Sequence, residues 1–203
     1  MKPISRILVK SGGLLLGIMA VIIGARLWYL EEQGNFHPIT PGEAYRSAQL
    51  DRDELEHYIQ RYRIHSVINL LGKDENAKWY REEISTCKDL EVAHYDIKLP
   101  SRSAPSEAKI RKLVSIFKRA PRPVLIHCKA GADRSGLAAA IWLVEIDSAP
   151  PSRARKELSI KYGHIPMGPT HVLDKFFDNW VKKRTENARF NINSLKHICH
   201  TDG

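Results

Sequence analysis

This sequence predicts an α/β fold with a mainly parallel central sheet flanked by helices. Short apolar runs alternate with longer helical segments along most of the chain, the pattern of strands connected by crossover helices. Val124–Ile126 is apolar at every position after Pro121 and Pro123, which suits a strand covered on both faces. Leu137–Val144 is almost entirely apolar with three alanines, which suits a buried helix starting near Arg134.

The elements follow in order. After a Gly34-Asn35 linker, Phe36–Leu50 reads as extended chain with Arg46 near a strand end, and Asp51 then caps a helix over Arg52–Tyr62. Ser66–Leu71 is a buried strand stopping at Gly72. A helix over Glu75–Cys87 and a strand over Val92–Leu99 come next. Ser106 caps Glu107–Arg119, whose basic face carries Lys109, Arg111, Lys112, Lys118 and Arg119. Pro150-Pro151-Ser152 opens a helix over Arg153–Tyr162 that Gly163 ends. Residues 164–169 form a loop that can border the site. A last helix runs from Thr170 to about Arg184, with Val172, Leu173, Phe176, Phe177 and Trp180 as its core stripe. His197, Cys199 and His200 lack a fourth metal ligand and read as tail, so no metal site is expected.

Between strand and helix lies His127-Cys128-Lys129-Ala130-Gly131-Ala132-Asp133-Arg134-Ser135. Amides at a helix start converge on an anion, so residues 129–134 can cradle a phosphoryl group. The helix end and Arg134 favour Cys128 as the nucleophilic thiolate. Arg134 can grip two phosphoryl oxygens through its planar fork, and Gly131 allows the backbone to aim amides inward. Ser135 can assist departure of the thiolate from a phosphocysteine. A structural cysteine in a strand-to-helix turn is the bland alternative.

On these residues the chain resembles the cysteine-dependent protein tyrosine and dual-specificity phosphatase superfamily, with its H-C-x5-R-[S/T] signature, over about residues 36–184. The resemblance implies the dual-specificity phosphatase architecture and a mechanism without metal or other cofactor. It also implies roles for two neighbours. Tyr45-Arg46-Ser47-Ala48-Gln49 is similar to a segment beside the cradle in small bacterial members, so Arg46 either supports the loop or the substrate, or is an ordinary exposed strand-end arginine. His127 belongs to the signature.

The Gly-Ala-Asp-Arg-Ser stretch resembles lipid-active variants in which the cradle aspartate is the general acid, which makes Asp133 the first choice. Asp96 is its rival, 32 residues before Cys128 (128 − 96). It sits inside an alternating strand, however, and the loop after it, Pro100–Ser106, has no carboxylate.

The net charge of +9 points to anionic partners. Nucleic acid is not expected, for want of zinc-ligand spacing, a recognition helix or an aromatic platform. Leu14–Leu30, with Arg26 tolerated, is long enough for about 26 Å of helix against a hydrocarbon core of roughly 30 Å. Residues 1–35 are therefore expected to be a single-pass membrane anchor and linker, with a cleaved signal peptide as the alternative. Residues 36–184 form the phosphatase domain and 185–203 a tail.

Lys2, Arg6 and Lys10 before the span bias the N-terminus toward the cytoplasm of a bacterial inner membrane and the domain toward the outside, an awkward compartment for a reactive thiolate that leaves the side open. Anchor, charge and Asp133 together favour a phosphorylated membrane lipid as substrate, as in the phosphatidylglycerophosphate phosphatases that the chain resembles. A phosphoprotein is the alternative substrate, and an inactive phosphate-binding module the third reading.

Overall fold

The computed structural model describes residues 34–198, with side chains to 187, and residues 17–19, 21, 24 and 25. A five-stranded sheet in the order β1-β2-β5-β3-β4 forms its centre: β1 His37–Thr40, β2 Ala44–Ser47, β3 Ser66–Asn69, β4 Ala93–Asp96 and β5 Val124–His127. β2, β5, β3 and β4 are parallel, and β1 joins β2 as an antiparallel edge hairpin, so the sheet is mixed.

The side-chain period of two sorts the sheet into two cores. Val124, Ile126 and Ile68 face one cluster with Leu113, Phe117, Leu137, Ile141 and Trp142. Leu125, Val67 and Tyr45 face the other, with Leu55, Ile59 and Cys87. The helices are α1 Arg52–Tyr62, α2 Lys78–Asp89, α3 Glu107–Arg119, α4 Asp133–Glu145, α5 Pro151–Ala154 and α6 His171–Ile198. Leu55 and Ile59 of α1 and Cys87 of α2 cover one face, while α3, α4 and α6 cover the other. Every residue of α4 from Ser135 to Val144 is buried, and its alanines let the helix lie close under the sheet.

The expected caps form. Asp51 accepts from Glu54 N at 2.9 Å while Glu54 accepts from Asp51 N at 3.0 Å, a reciprocal capping box, and Ser106 accepts from Lys109 N.

Two expectations change. The helix expected over Arg153–Tyr162 is instead α5 followed by 3-10 turns at Arg155–Glu157 and Ile160–Tyr162, because Glu157 and Tyr162 turn inward to Arg46. The last helix does not stop near Arg184 but runs to Ile198, into the stretch expected to be tail. No helix among the described residues is long and apolar enough to cross a membrane, and most of the expected span Leu14–Leu30 lies outside the described residues, as do Cys199 and His200.

Candidate active site

Central strand β5 ends at His127 and delivers Cys128, 2% exposed, into the loop that opens α4. The backbone of this loop is held from behind, carbonyl by carbonyl. Lys129 O accepts from Gln49 N (3.2 Å), Ala130 O from Asn35 Nδ2 (2.8 Å), and Gly131 O and Ala132 O from the Arg46 guanidinium (2.7 and 2.9 Å). In a trans peptide the next N–H points opposite to the carbonyl. The amides of Ala130, Gly131, Ala132 and Asp133 therefore turn away from that wall, toward the side where an anion can sit.

Gly131 is required twice. Its φ is +68°, and a Cβ there would stand 2.6 Å from Ala48 N and 2.7 Å from Ser47 C.

Arg46 is wholly buried. Besides the two loop carbonyls it donates to Glu157 O and pairs with Glu157 Oε2 at 2.8 Å, and its guanidinium lies 4.2 Å from the centre of the Tyr162 ring. Burial draws its pKa down, and Glu157 opposes that shift. The reading of Arg46 as an exposed strand-end residue is thus overturned in favour of support for the loop. Arg134 and Asp133 are half buried in the first turn of α4, while Lys129 and Ala130 are exposed. Ser135 is fully buried and donates to Ser47 O at 3.3 Å.

Behind the nucleophile, His127 Nε2 lies 3.0 Å from Glu83 Oε2, and Glu83 Oε1 lies 2.7 Å from His94 Nε2. Burial alone would raise the Glu83 pKa, but the two imidazoles outweigh it and hold the carboxyl at about 2. Cys87, buried on α2, has its thiol pushed up to about 12 by burial.

The two candidate acids sit in different settings. Asp96 ends β4 with both oxygens engaged, by Asn69 Nδ2 (2.8 Å) and by the Tyr80 hydroxyl (2.6 Å). Asp133 Oδ1 lies 2.6 Å from His164 Nδ1, and His164 Nε2 lies 2.8 Å from Asp174 Oδ2. Asp174 Oδ1 is in turn 2.6 Å from Arg155. His164 and Asp174 have no exposed surface. Burial lowers the His164 pKa, but the bonds to Asp133 and Asp174 outweigh it and the net shift is upward.

Sequence reasoning flagged loop 164–169 but neither His164 nor its partners Asp174 and Arg155. Asn35, Glu83 and Glu157 were missed too, since none has a spacing that marks it.

A loop of outward-held carbonyls on the central strand of an α/β sheet, with a cysteine at its mouth and an arginine in the following turn, is an arrangement suited to holding a phosphoryl group beside a nucleophile. The sequence profile of the tyrosine phosphatase family matches residues 29–150. Human dual specificity protein phosphatase CDC14C is 28% identical over 90 residues (44% of this chain, 19% of that protein). CDC14A is 25% identical over 127 residues (56% and 20%), so the matches span about a fifth of those relatives' length.

Among solved structures, TpbA of P. aeruginosa superposes with a TM-score of 0.57 at 21% identity, covering 71% of this chain and 84% of that one. The core catalytic domain of the S. cerevisiae PP-IP phosphatase SIW14 gives 0.57 at 17% (76% and 93%), and PTPMT1 gives 0.53 at 19% (74% and 99%). The chain belongs to the tyrosine phosphatase family.

Proposed function

We propose that this protein is a membrane-anchored phosphatase that hydrolyses an anionic phospholipid monoester such as phosphatidylglycerophosphate. In the first step Cys128 Sγ attacks phosphorus, the S–P bond forms, the P–O bond to the leaving group breaks, and Asp133 gives that oxygen a proton. In the second, water attacks phosphorus, the thiolate departs, and Asp133 takes the water's proton. The four turned amides and Arg134 bear the charge on the equatorial oxygens, and Ser135 steadies the departing sulfur. Arg46 acts at one remove by holding the loop, and His127, the residue before the nucleophile, acts by its contact with Glu83. Asp96, with both oxygens engaged, has a structural role.

The observation that carries the lipid reading is the place of Asp133. Its acid arrives with the cradle itself, tied to His164, and the loop 100–106 brings no carboxylate over the leaving-group side. The +9 charge and the apolar segment before residue 34 fit this reading, with the domain on the outer side of a bacterial inner membrane. One PTPMT1 structure holds PI(5)P. A TpbA structure holds pTyr, which favours a phosphoprotein substrate as the second reading.

Phosphate release from phosphatidylglycerophosphate in mixed micelles, with Cys128→Ser as control, tests the proposal. A kcat/KM above that on a phosphotyrosine peptide is expected, and a peptide preference of orders of magnitude would refute the lipid reading.

A further inference from the structure

From residue 34 onward, the large hydrophobic side chains that remain exposed among the described residues are Ile160, Ile165 and Met167, at 69, 52 and 72%. All three fall in one segment eight residues long. Scattered single aliphatics on a surface are ordinary, but three together beside a reactive site are not.

The segment is rigidly based. Between the exposed tips, Tyr162 and His164 are buried, the first under Arg46 and the second against Asp133 and Asp174. Its backbone closes on itself through Gly163 N to Ile160 O, His164 N to Ser159 O and Met167 N to Ile165 O. It is also stitched to the cradle, since Asn35 Nδ2 donates both to Ala130 O (2.8 Å) and to Tyr162 O (3.0 Å). The exposed Lys129-Ala130 rim of the loop and the Ile160–Met167 segment are therefore direct neighbours, and Lys161 adds a second exposed lysine among the apolar tips.

We propose that Ile160, Ile165 and Met167 form an interfacial lip, which dips into the apolar edge of an anionic bilayer while Lys129 and Lys161 meet its head groups. Convex aliphatic tips interspersed with lysine suit a lipid boundary. A protein hot spot would instead present aromatic or arginine anchors to a pocket. The lip sets the cradle at head-group depth, so a phosphorylated head group reaches Cys128 without its acyl chains leaving the membrane. This inference rests on the lipid reading above and adds to it where the substrate is met.

Two measurements on the full chain test it. Met167→Trp, with vesicles of phosphatidylglycerol and phosphatidylcholine containing brominated acyl chains, should be quenched beyond the parent chain with its four tryptophans. No added quenching would overturn the lip. In the second, Ile160→Ser/Ile165→Ser/Met167→Ser should lower kcat/KM on phosphatidylglycerophosphate in mixed micelles by tenfold or more. Turnover of a soluble aryl phosphate should stay within twofold, which also reports that the variant folds.

Equal loss on both substrates, or loss on a phosphotyrosine peptide alone, would overturn the inference. If the parent hydrolyses the lipid and the triple variant does so equally well, the lip fails and the lipid reading stands. No lipid turnover by the parent would end both.

Discussion

Asp133 and His164 share a 2.6 Å contact, and the other His164 nitrogen is 2.8 Å from Asp174. A neutral imidazole has one N–H, so two carboxylate contacts require a further proton, on the ring or on a carboxyl. The net upward shift of His164 reflects contacts that favour holding this proton, and along the 2.6 Å contact the ring can supply it to Asp133, which passes it to the leaving oxygen. Asp133→Asn should therefore lower kcat by about 10²–10⁴ on an alkyl phosphate but far less on an activated aryl phosphate, whose leaving group needs little protonation. Asp96→Asn should leave that ratio unchanged. Equal losses in the two variants would reverse the assignment.

His164 should also mark the protein's pH response. Its folded pKa lies above its ordinary value of 6.5, so its contribution to stability is complete below that pH and is lost as pH rises through the folded value. His164→Asn should lower Tm most on the acid side, with the gap narrowing as the medium becomes alkaline. On alkyl phosphate its pH–rate profile should move, which simple loss of packing would not produce. A parallel Tm offset at every pH would contradict this.

Arg46→Lys keeps one charge but cannot serve Gly131 O, Ala132 O and Glu157 together. Leaving Glu157 and the loop carbonyls short of partners should cost roughly 3–5 kcal/mol in urea unfolding. The variant that remains folded should lose most of its kcat, since the amides are no longer aimed.

Gly131→Ala puts a Cβ against the Ser47–Ala48 backbone at a φ of +68°. The loop or β2 must shift, and we expect about 2–3 kcal/mol of destabilisation together with weaker protection by inorganic phosphate in thermal melts. Unchanged phosphate protection would show that the loop tolerates the shift.

Glu83, held at about 2 against an ordinary 4.5, contributes about 3 kcal/mol above pH 4.5. Because the folded value is depressed, that contribution disappears as pH falls from 4.5 toward 2. Glu83→Gln should be much less stable than the parent near neutrality and approach it in acid. A constant difference across that range would rule out the charge as the cause.

What the sequence reveals is the part of the molecule that local rules determine. Asp51 announces α1, and the apolar run Val124–Ile126 before the buried stretch Leu137–Val144 announces β5, α4 and the cradle between them. Asp133, Arg134 and Ser135 stand where their spacing puts them. The rest depends on partners far along the chain. Helical pattern over Arg153–Tyr162 loses to the demand that Glu157 and Tyr162 meet Arg46, more than a hundred residues earlier. Asp133, His164 and Asp174 lie 31 and 10 residues apart with no periodicity to link them. Arg46 could be read either way until its burial was known.

The wall behind the cradle also sets an order of events. Asn35, Arg46 and Gln49 leave the ribosome long before Cys128, whereas Glu157, His164 and Asp174 follow it. A nascent chain that has just completed Ser135 carries the whole signature but neither the anchor for Arg46 nor the partner for Asp133. The wall of the loop and the contacts of Asp133 are thus complete only when about forty further residues have been made and docked.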